Sequence, residues 1–174
     1  MDAHMKPAQI RLVFEIVKWL FQKQYWDELW KIMYRVNSIP LLISPTQQVE
    51  GIHGLASGAG RTQLSETILQ LFMCWSAGIC KGQGIGDDFI WFVDWDAEQI
   101  VKYLAEFGLP ANAAKQYISK EETHFLQRLN HLGFFSREVQ QVLGGYYPTI
   151  RALNSSLNPE KFHNPKTWNK NMFC

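Results

Sequence analysis

A pair of glycines, Gly144 and Gly145, interrupts the stretch FFSREVQQVLGGYYPTIRALNSSL and limits how residues 134–157 can fold. Glycine readily adopts the positive φ that ends a helix, so the pair predicts a tight turn. Before the turn, Ser136 suits the cap of a short helix that carries Val139, Val142 and Leu143. After it, Pro148 suits the first turn of a second helix that carries Ile150, Leu153 and Leu157. The stretch is therefore predicted to form a helix, a turn and a helix.

The segment just before this stretch predicts a third, supporting helix. Ser119 and Glu122 have the spacing of a capping box. Apolar residues then recur three or four positions apart until Gly133, namely Phe125, Leu126, Leu129 and Leu132. Three short helices in succession are thus predicted over residues 119–158.

Residues 119–158 resemble the helix-turn-helix unit of bacterial transcription regulators. With Gly144 as the turn glycine, the apolar positions of the repressor-type motif fall on Val139, Leu143, Ile150 and Leu153. Two residues depart from the motif. Gln140 stands where the motif has a small residue, and Gly145 stands where it has an apolar residue. The resemblance implies a DNA-binding transcriptional regulator whose second helix enters the major groove. A purely structural helical hairpin satisfies the same pattern.

The resemblance also implies a set of DNA contacts on and beside the second helix: Arg137, Tyr147, Thr149, Arg151, Asn154 and Ser155. The charge favours only a local contact, because the whole chain carries a net charge of +1 and residues 136–174 have a surplus of three basic side chains. Double-stranded DNA is therefore expected to be held by a homodimer, or together with a partner protein.

The aromatic content favours a second interpretation. Aromatic residues make up 14% of the chain and include seven Trp, which is more than a minimal soluble core needs. The surplus rings suit a docking face, as in an adaptor or an immunity-type protein that binds another protein and no DNA. Salt-dependent retention on heparin or duplex DNA separates this alternative from a DNA-binding regulator.

Apolar spacing predicts helices over most of the remaining chain as well, at residues 7–36 with a break at 23–25, at 63–80 and at about 97–107. Asp94 or Asp96 is a candidate cap for the last of these helices. The segment from Ser38 to Thr62 is punctuated by proline and glycine and favours an irregular connector. The run from Phe89 to Val93 fits either a strand or a helical turn.

The predicted fold class is therefore all-α, an orthogonal helical bundle with a C-terminal three-helix unit. Residues 1–118 are predicted to form a helical core and possible dimerisation region, residues 119–158 the helix-turn-helix-like unit, and residues 159–174 a polar tail.

Two segments have features of enzyme sites, and each also has a simpler explanation. The loop GLASGAGRT at residues 54–62 has the outline of a phosphate-binding loop, but Leu55 stands at the first glycine position and Arg61 replaces the lysine. Five acidic residues suit a divalent cation or an acid and base pair, namely Asp87, Asp88, Asp94, Asp96 and Glu98. Helix caps and solvated turns account for them equally well. The prediction is that the chain is not an enzyme.

The cysteines predict neither a metal site nor a set of structural disulfides. There are three, Cys74, Cys80 and Cys174, and no Cys or His cluster has zinc-ligand spacing. No cofactor is expected, and a reducing cytoplasm is the expected location. The sequence shows no basic and apolar leader, and its apolar runs are too short for a membrane span, so no membrane partner is expected.

Overall fold

The computed structural model describes residues 1–138, 140–142 and 144–158, and these residues contain both helices and strands. They divide into two compact units, residues 1–118 and the residues from 119 onward. The all-α prediction, with its orthogonal helical bundle, is wrong, because the described residues include four antiparallel two-stranded hairpins between the helices. Among the described residues, no helix is long and apolar enough to cross a membrane.

The first unit, all of whose residues are described, contains four α-helices and two hairpins. The helices are α1 (Pro7–Val17), α2 (Trp26–Arg35), α3 (Thr62–Ser76) and α4 (Ala97–Glu106). One hairpin pairs β1 (Leu41–Ser44) with β2 (Gln47–Val49), and the other pairs β3 (Gly82–Ile85) with β4 (Asp88–Trp91). The helices lie where apolar spacing predicts them, whereas the first hairpin replaces the predicted irregular connector.

The core of this unit forms where the helices meet. On α1, Ile10, Val13 and Phe14 are buried at the spacing that places them on one face. Met33 of α2 and Leu69 and Met73 of α3 pack in the same cluster. The α1–α2 contact is aromatic as well, since the ring centroids of Phe14 and Trp30 are 5.4 Å apart. This core holds the start of the chain, α2 and α3 in fixed relation to one another.

The second unit has hairpins where two of the three predicted helices should be. Strands β5 (Glu122–Phe125) and β6 (Arg128–His131) pair, as do β7 (Phe135–Ser136) and β8 (Gln141–Val142). In the described part of this unit, only the last predicted helix is present, as α5 (Thr149–Leu157). The helix-turn-helix prediction is therefore wrong. Two of its four apolar positions, Val139 and Leu143, and the predicted tail at 159–174 lie outside the described residues.

The turn between β5 and β6 gives the physical reason for the error. Leu126 and Gln127 have φ values of +47° and +65°, so they form a two-residue hairpin turn with both central residues in the left-handed region. Asn and Gly are the residues that normally signal such a turn, and Leu and Gln do not. The Ser119 hydroxyl does accept amide hydrogen bonds, from Glu121 at 3.2 Å and Glu122 at 3.3 Å. The predicted cap exists, but a strand follows it.

Candidate active site

The β3–β4 hairpin places two carboxylates at its tip. Ile85 pairs with Asp88, so Gly86 and Asp87 are the two central residues of the turn. Gly86 has a φ of +61°, and glycine at the first central position is typical of a type II′ hairpin turn. Asp87 therefore lies in the turn and Asp88 begins the outgoing strand.

Helix α3 contacts this turn through its side chains. The Gly86 amide donates a hydrogen bond to the Thr67 hydroxyl at 2.7 Å. A Cβ atom at Gly86 would lie 3.4 Å from a carboxyl oxygen of Glu66, so the turn passes directly beside that carboxyl group. The polar side of α3 thus faces the acidic turn.

A glycine-rich loop holds a third carboxylate, that of Asp2, which also contacts Glu66. We call residues 54–61 the serine loop. Its Ser57 hydroxyl donates a hydrogen bond to the Asp2 carboxylate, and its Leu55 amide donates to the Asp2 carbonyl at 2.9 Å. Gly54 permits this approach, because a Cβ atom there would lie 2.4 Å from the Asp2 carbonyl oxygen. Asp2 is therefore held by contacts with a segment more than fifty residues away in sequence.

The carboxyl groups of Asp2 and Glu66 interact directly, and their pKa values move in opposite directions. Burial raises the pKa of Glu66 to about 8, and the hydrogen bond to Asp2 and the charges of Asp2 and Asp87 add to the rise. Hydrogen bonds from Glu66 and Ser57 lower the pKa of Asp2. At neutral pH, Glu66 consequently keeps its proton and donates it in a hydrogen bond to the ionised Asp2. The other Glu66 oxygen, Oε1, is buried without a hydrogen-bond partner.

The carboxylate oxygens of Asp87 and Asp88 are of the type that Mg²⁺ prefers as ligands. Among the described residues, no group of three or more His, Cys, Asp or Glu side chains is placed to hold a metal ion. Magnesium in phosphoryl-transfer sites is usually held by one or two carboxylates together with substrate phosphates, and not by a cage of protein ligands. The chemistry of Asp87 and Asp88 therefore fits a divalent cation that is completed by substrate.

Two of the remaining acidic residues, Asp96 and Glu98, lie at the start of α4, as the sequence predicts. Asp96 caps α4, since its carboxylate accepts a hydrogen bond from the Gln99 amide at 2.8 Å. The Gln99 side chain accepts from the Asp96 amide at 2.9 Å, which completes a capping box. Glu98 lies in the first turn of the same helix. The start of α4 thus accounts for Asp96 and Glu98, but not for Asp87 and Asp88.

The six residues predicted to contact DNA are not presented by a recognition helix. Arg137 lies in the turn between β7 and β8. The Arg128 guanidinium lies over the Tyr147 ring, with its Cζ atom 5.9 Å from the ring centroid. The other four are exposed along α5, namely Thr149, Arg151, Asn154 and Ser155. No supporting helix packs beside α5 in the described part of this unit, so a helix-turn-helix docking geometry is lacking.

The proteins that this chain resembles in sequence and in structure are named as RNA-dependent RNA polymerases. No family model matches the chain. The chain is 30% identical over 183 residues to a potential RNA-dependent RNA polymerase of human picobirnavirus, strain Human/Thailand/Hy005102, and this match covers 98% of the chain and 33% of the relative.

Two crystal structures give the same result. The RNA-dependent RNA polymerase of a human picobirnavirus matches at a TM-score of 0.81 and 27% identity, over 98% of this chain and 34% of that one. An insertion-loop deletion mutant of the RNA-dependent RNA polymerase of a human picobirnavirus matches at a TM-score of 0.82 and 27% identity. This match covers 98% of this chain and 35% of the mutant polymerase. The chain therefore spans about a third of the length of the polymerases that it resembles.

These findings overturn the functional predictions made from sequence. A DNA-binding transcriptional regulator is wrong, and so is the alternative of an adaptor or immunity-type protein, because the relatives are polymerases. The expectation of no enzyme is contradicted for the same reason. Double-stranded DNA is likewise the wrong partner, since the relatives are named as RNA-dependent.

Proposed function

We propose that this chain carries part of the nucleotidyl-transfer site of an RNA-dependent RNA polymerase, centred on Asp87 and Asp88. The observation that carries the proposal is the acidic β3–β4 turn beside Asp2 and Glu66, within a chain of which 98% matches a polymerase at a TM-score of 0.82. Fold alone does not define a reaction, but the turn supplies the ionisable groups that this reaction needs.

Nucleotidyl transfer joins a hydroxyl oxygen to the α-phosphorus of a nucleoside triphosphate, while the bond from that phosphorus to the bridging oxygen breaks and pyrophosphate leaves. Negative charge on the phosphate oxygens must therefore be stabilised. A divalent cation held by Asp87 and Asp88 would supply that stabilisation. The structure explains how the neighbouring residues support these two. Ser57 orients the Asp2 carboxylate, and the proton on Glu66 reduces the negative charge packed against the turn.

A chimeric polymerase tests the proposal. The segment of the human picobirnavirus polymerase that aligns with this chain is replaced by residues 1–174, and RNA-templated nucleotide incorporation is measured. Incorporation is expected in the chimera, and Asp87→Asn or Asp88→Asn should lower it by about 100-fold or more, because each removes a charge that acts on the transferring phosphoryl group.

The matched control is Asp94→Asn, which makes the same chemical change at an exposed position after β4. Its incorporation rate should equal that of the unsubstituted chimera. A folded chimera in which Asp87→Asn and Asp88→Asn incorporate nucleotide as fast as Asp94→Asn would show that the acidic turn is not the reaction centre.

A further inference from the structure

The Arg61 guanidinium links the serine loop to a different element. Just after the loop, the Thr62 hydroxyl faces the carbonyls of Ala56 and Ala59, each at 2.8 Å, so the loop closes on the start of α3. At its beginning, the buried Leu55 side chain anchors the loop in the core. At its end, Arg61 donates a hydrogen bond to the backbone carbonyl of Ile32 on α2. Ser57 lies between these two anchors.

The acceptor of this hydrogen bond is well suited to a cation. Ile32 is one of the last four residues of α2, whose carbonyls have no amide partner within the helix. The carboxyl end of a helix also carries partial negative charge, which favours a positive group. Burial lowers the pKa of Arg61, but arginine stays protonated at neutral pH. The contact is therefore a charge-assisted hydrogen bond, which is stronger than one between neutral groups.

The same end of α2 also holds the segment that carries Asp2. Asn37, two residues beyond α2, is fully buried and its side-chain amide donates to the Met5 carbonyl at 2.8 Å. It donates a second hydrogen bond to the His53 carbonyl, at 3.0 Å, just before the serine loop. Both partners of the Ser57–Asp2 hydrogen bond are thus tied to one short stretch, Ile32 to Asn37.

We propose that Arg61 is a positioning residue, which holds Ser57 against Asp2 by fixing the end of the serine loop to the carboxyl end of α2. The inference rests on the proposed function for its catalytic meaning, but its structural content is independent of that function. Without the guanidinium, Leu55 and Asn37 still fix the start of the loop and the Thr62 hydroxyl still closes it on α3. The chain therefore stays folded, while residues 57–61 lose their link to α2.

Hydrogen exchange on the 174-residue chain tests this directly. Arg61→Met should speed exchange in the peptide that spans residues 54–61 by about tenfold or more, which corresponds to the loss of one charged hydrogen bond. Exchange in α1 and α3 should be unchanged. Arg61→Lys should restore part of the protection, because lysine keeps the charge but not the fork of donors. The control is Arg35→Met, which makes the same chemical change at an exposed residue at the carboxyl end of α2.

The chimeric polymerase supplies a second readout. Arg61→Met should raise the KM for nucleotide about fivefold or more with a smaller effect on kcat, since it loosens residues beside the site without removing the carboxylates. Unchanged exchange at 54–61 in Arg61→Met, or exchange raised evenly over residues 1–118, would overturn the inference. If the unsubstituted chimera incorporates no nucleotide, the proposed function fails, while the exchange result still decides the role of Arg61.

Discussion

Replacing Glu66 by glutamine should stabilise the chain at alkaline pH. The folded chain keeps a proton on Glu66 up to a pKa of about 8, whereas the ordinary value is 4.5. Between these values the folded state binds a proton that the unfolded chain has released, so the free energy of unfolding falls as pH rises. Below this range both states are protonated, and above it both are ionised. The amide of the Glu66→Gln variant would donate to Asp2 as protonated Glu66 does, but it has no proton to lose.

The size of the effect follows from the pKa difference. A difference of about 3.5 corresponds to about 5 kcal/mol, which is an upper bound. The pKa of Asp2 is shifted the opposite way by the same hydrogen bond, and effective dielectric screening is strong even at buried sites. We therefore expect Glu66→Gln to be about 2 kcal/mol more stable than the wild type at pH 9, and nearly equal to it at pH 4.5.

Urea unfolding at a series of pH values measures this difference. Tryptophan fluorescence is a suitable probe, because six of the seven Trp residues lie in residues 1–118. Glu106→Gln is the control, because it makes the same chemical change at an exposed position at the end of α4. If the gain from Glu66→Gln does not grow between pH 5 and pH 9, then Glu66 is already ionised at neutral pH and the account of the Asp2–Glu66 pair is wrong.

Two backbone positions give further predictions. Gly54→Ala should lower the free energy of unfolding, measured in urea, by about 1–3 kcal/mol. The reason is that the new Cβ would lie 2.4 Å from the Asp2 carbonyl oxygen and 2.6 Å from the Ala3 Cα. Gly60→Ala in the same loop meets no atom within 4 Å and should be nearly neutral; equal losses at the two positions would refute the close approach. Leu126→Gly should increase hydrogen-exchange protection of the β5–β6 amides by about 1 kcal/mol, because φ is +47° there. Leu132→Gly is the control, because the φ of Leu132 lies outside the left-handed region, and it should not increase this protection. A loss of protection in both variants would mean that the turn stores no strain.

The helices were predictable because each has a local signal. In α1 the apolar residues recur with helical spacing, and Pro7 occupies the first turn. Asp96 and Gln99 form the capping box that begins α4. Such patterns need no information about distant residues, so a single sequence is sufficient to find them.

The β3–β4 hairpin also has a local signal in the sequence. A Gly-Asp pair between two short runs is a recognised two-residue hairpin turn, and Gly86–Asp87 is such a pair. The β5–β6 hairpin had none, because Leu126 and Gln127 are not turn-forming residues and the flanking leucines have helical spacing. Positive φ at these two positions is imposed by the pairing of the strands and overrides local preference.

The rest of the site could not be predicted from spacing. Asp2 and Ser57 meet only because Gly54 lets the serine loop cross the backbone of Asp2 and Ala3. Such contacts join segments that are far apart in sequence, and no motif of fixed spacing describes them. A sequence search for paired carboxylates could find Asp87 and Asp88, but not the third carboxylate beside them.

Helix α3 shows why the hydrophobic pattern failed where the site lies. Apolar spacing predicts this helix, yet Leu64, Leu71 and Trp75 are 61%, 49% and 76% exposed. The buried face instead carries Ser65, Glu66 and Gln70 beside Leu69 and Met73. Burying a carboxyl group is unfavourable unless a partner compensates it, and here the partner is Asp2, which accepts the proton of Glu66 in a hydrogen bond. The polar face of α3 is therefore turned inward because the acidic site is there, and an analysis that assigns apolar residues to the interior must place this helix the wrong way round.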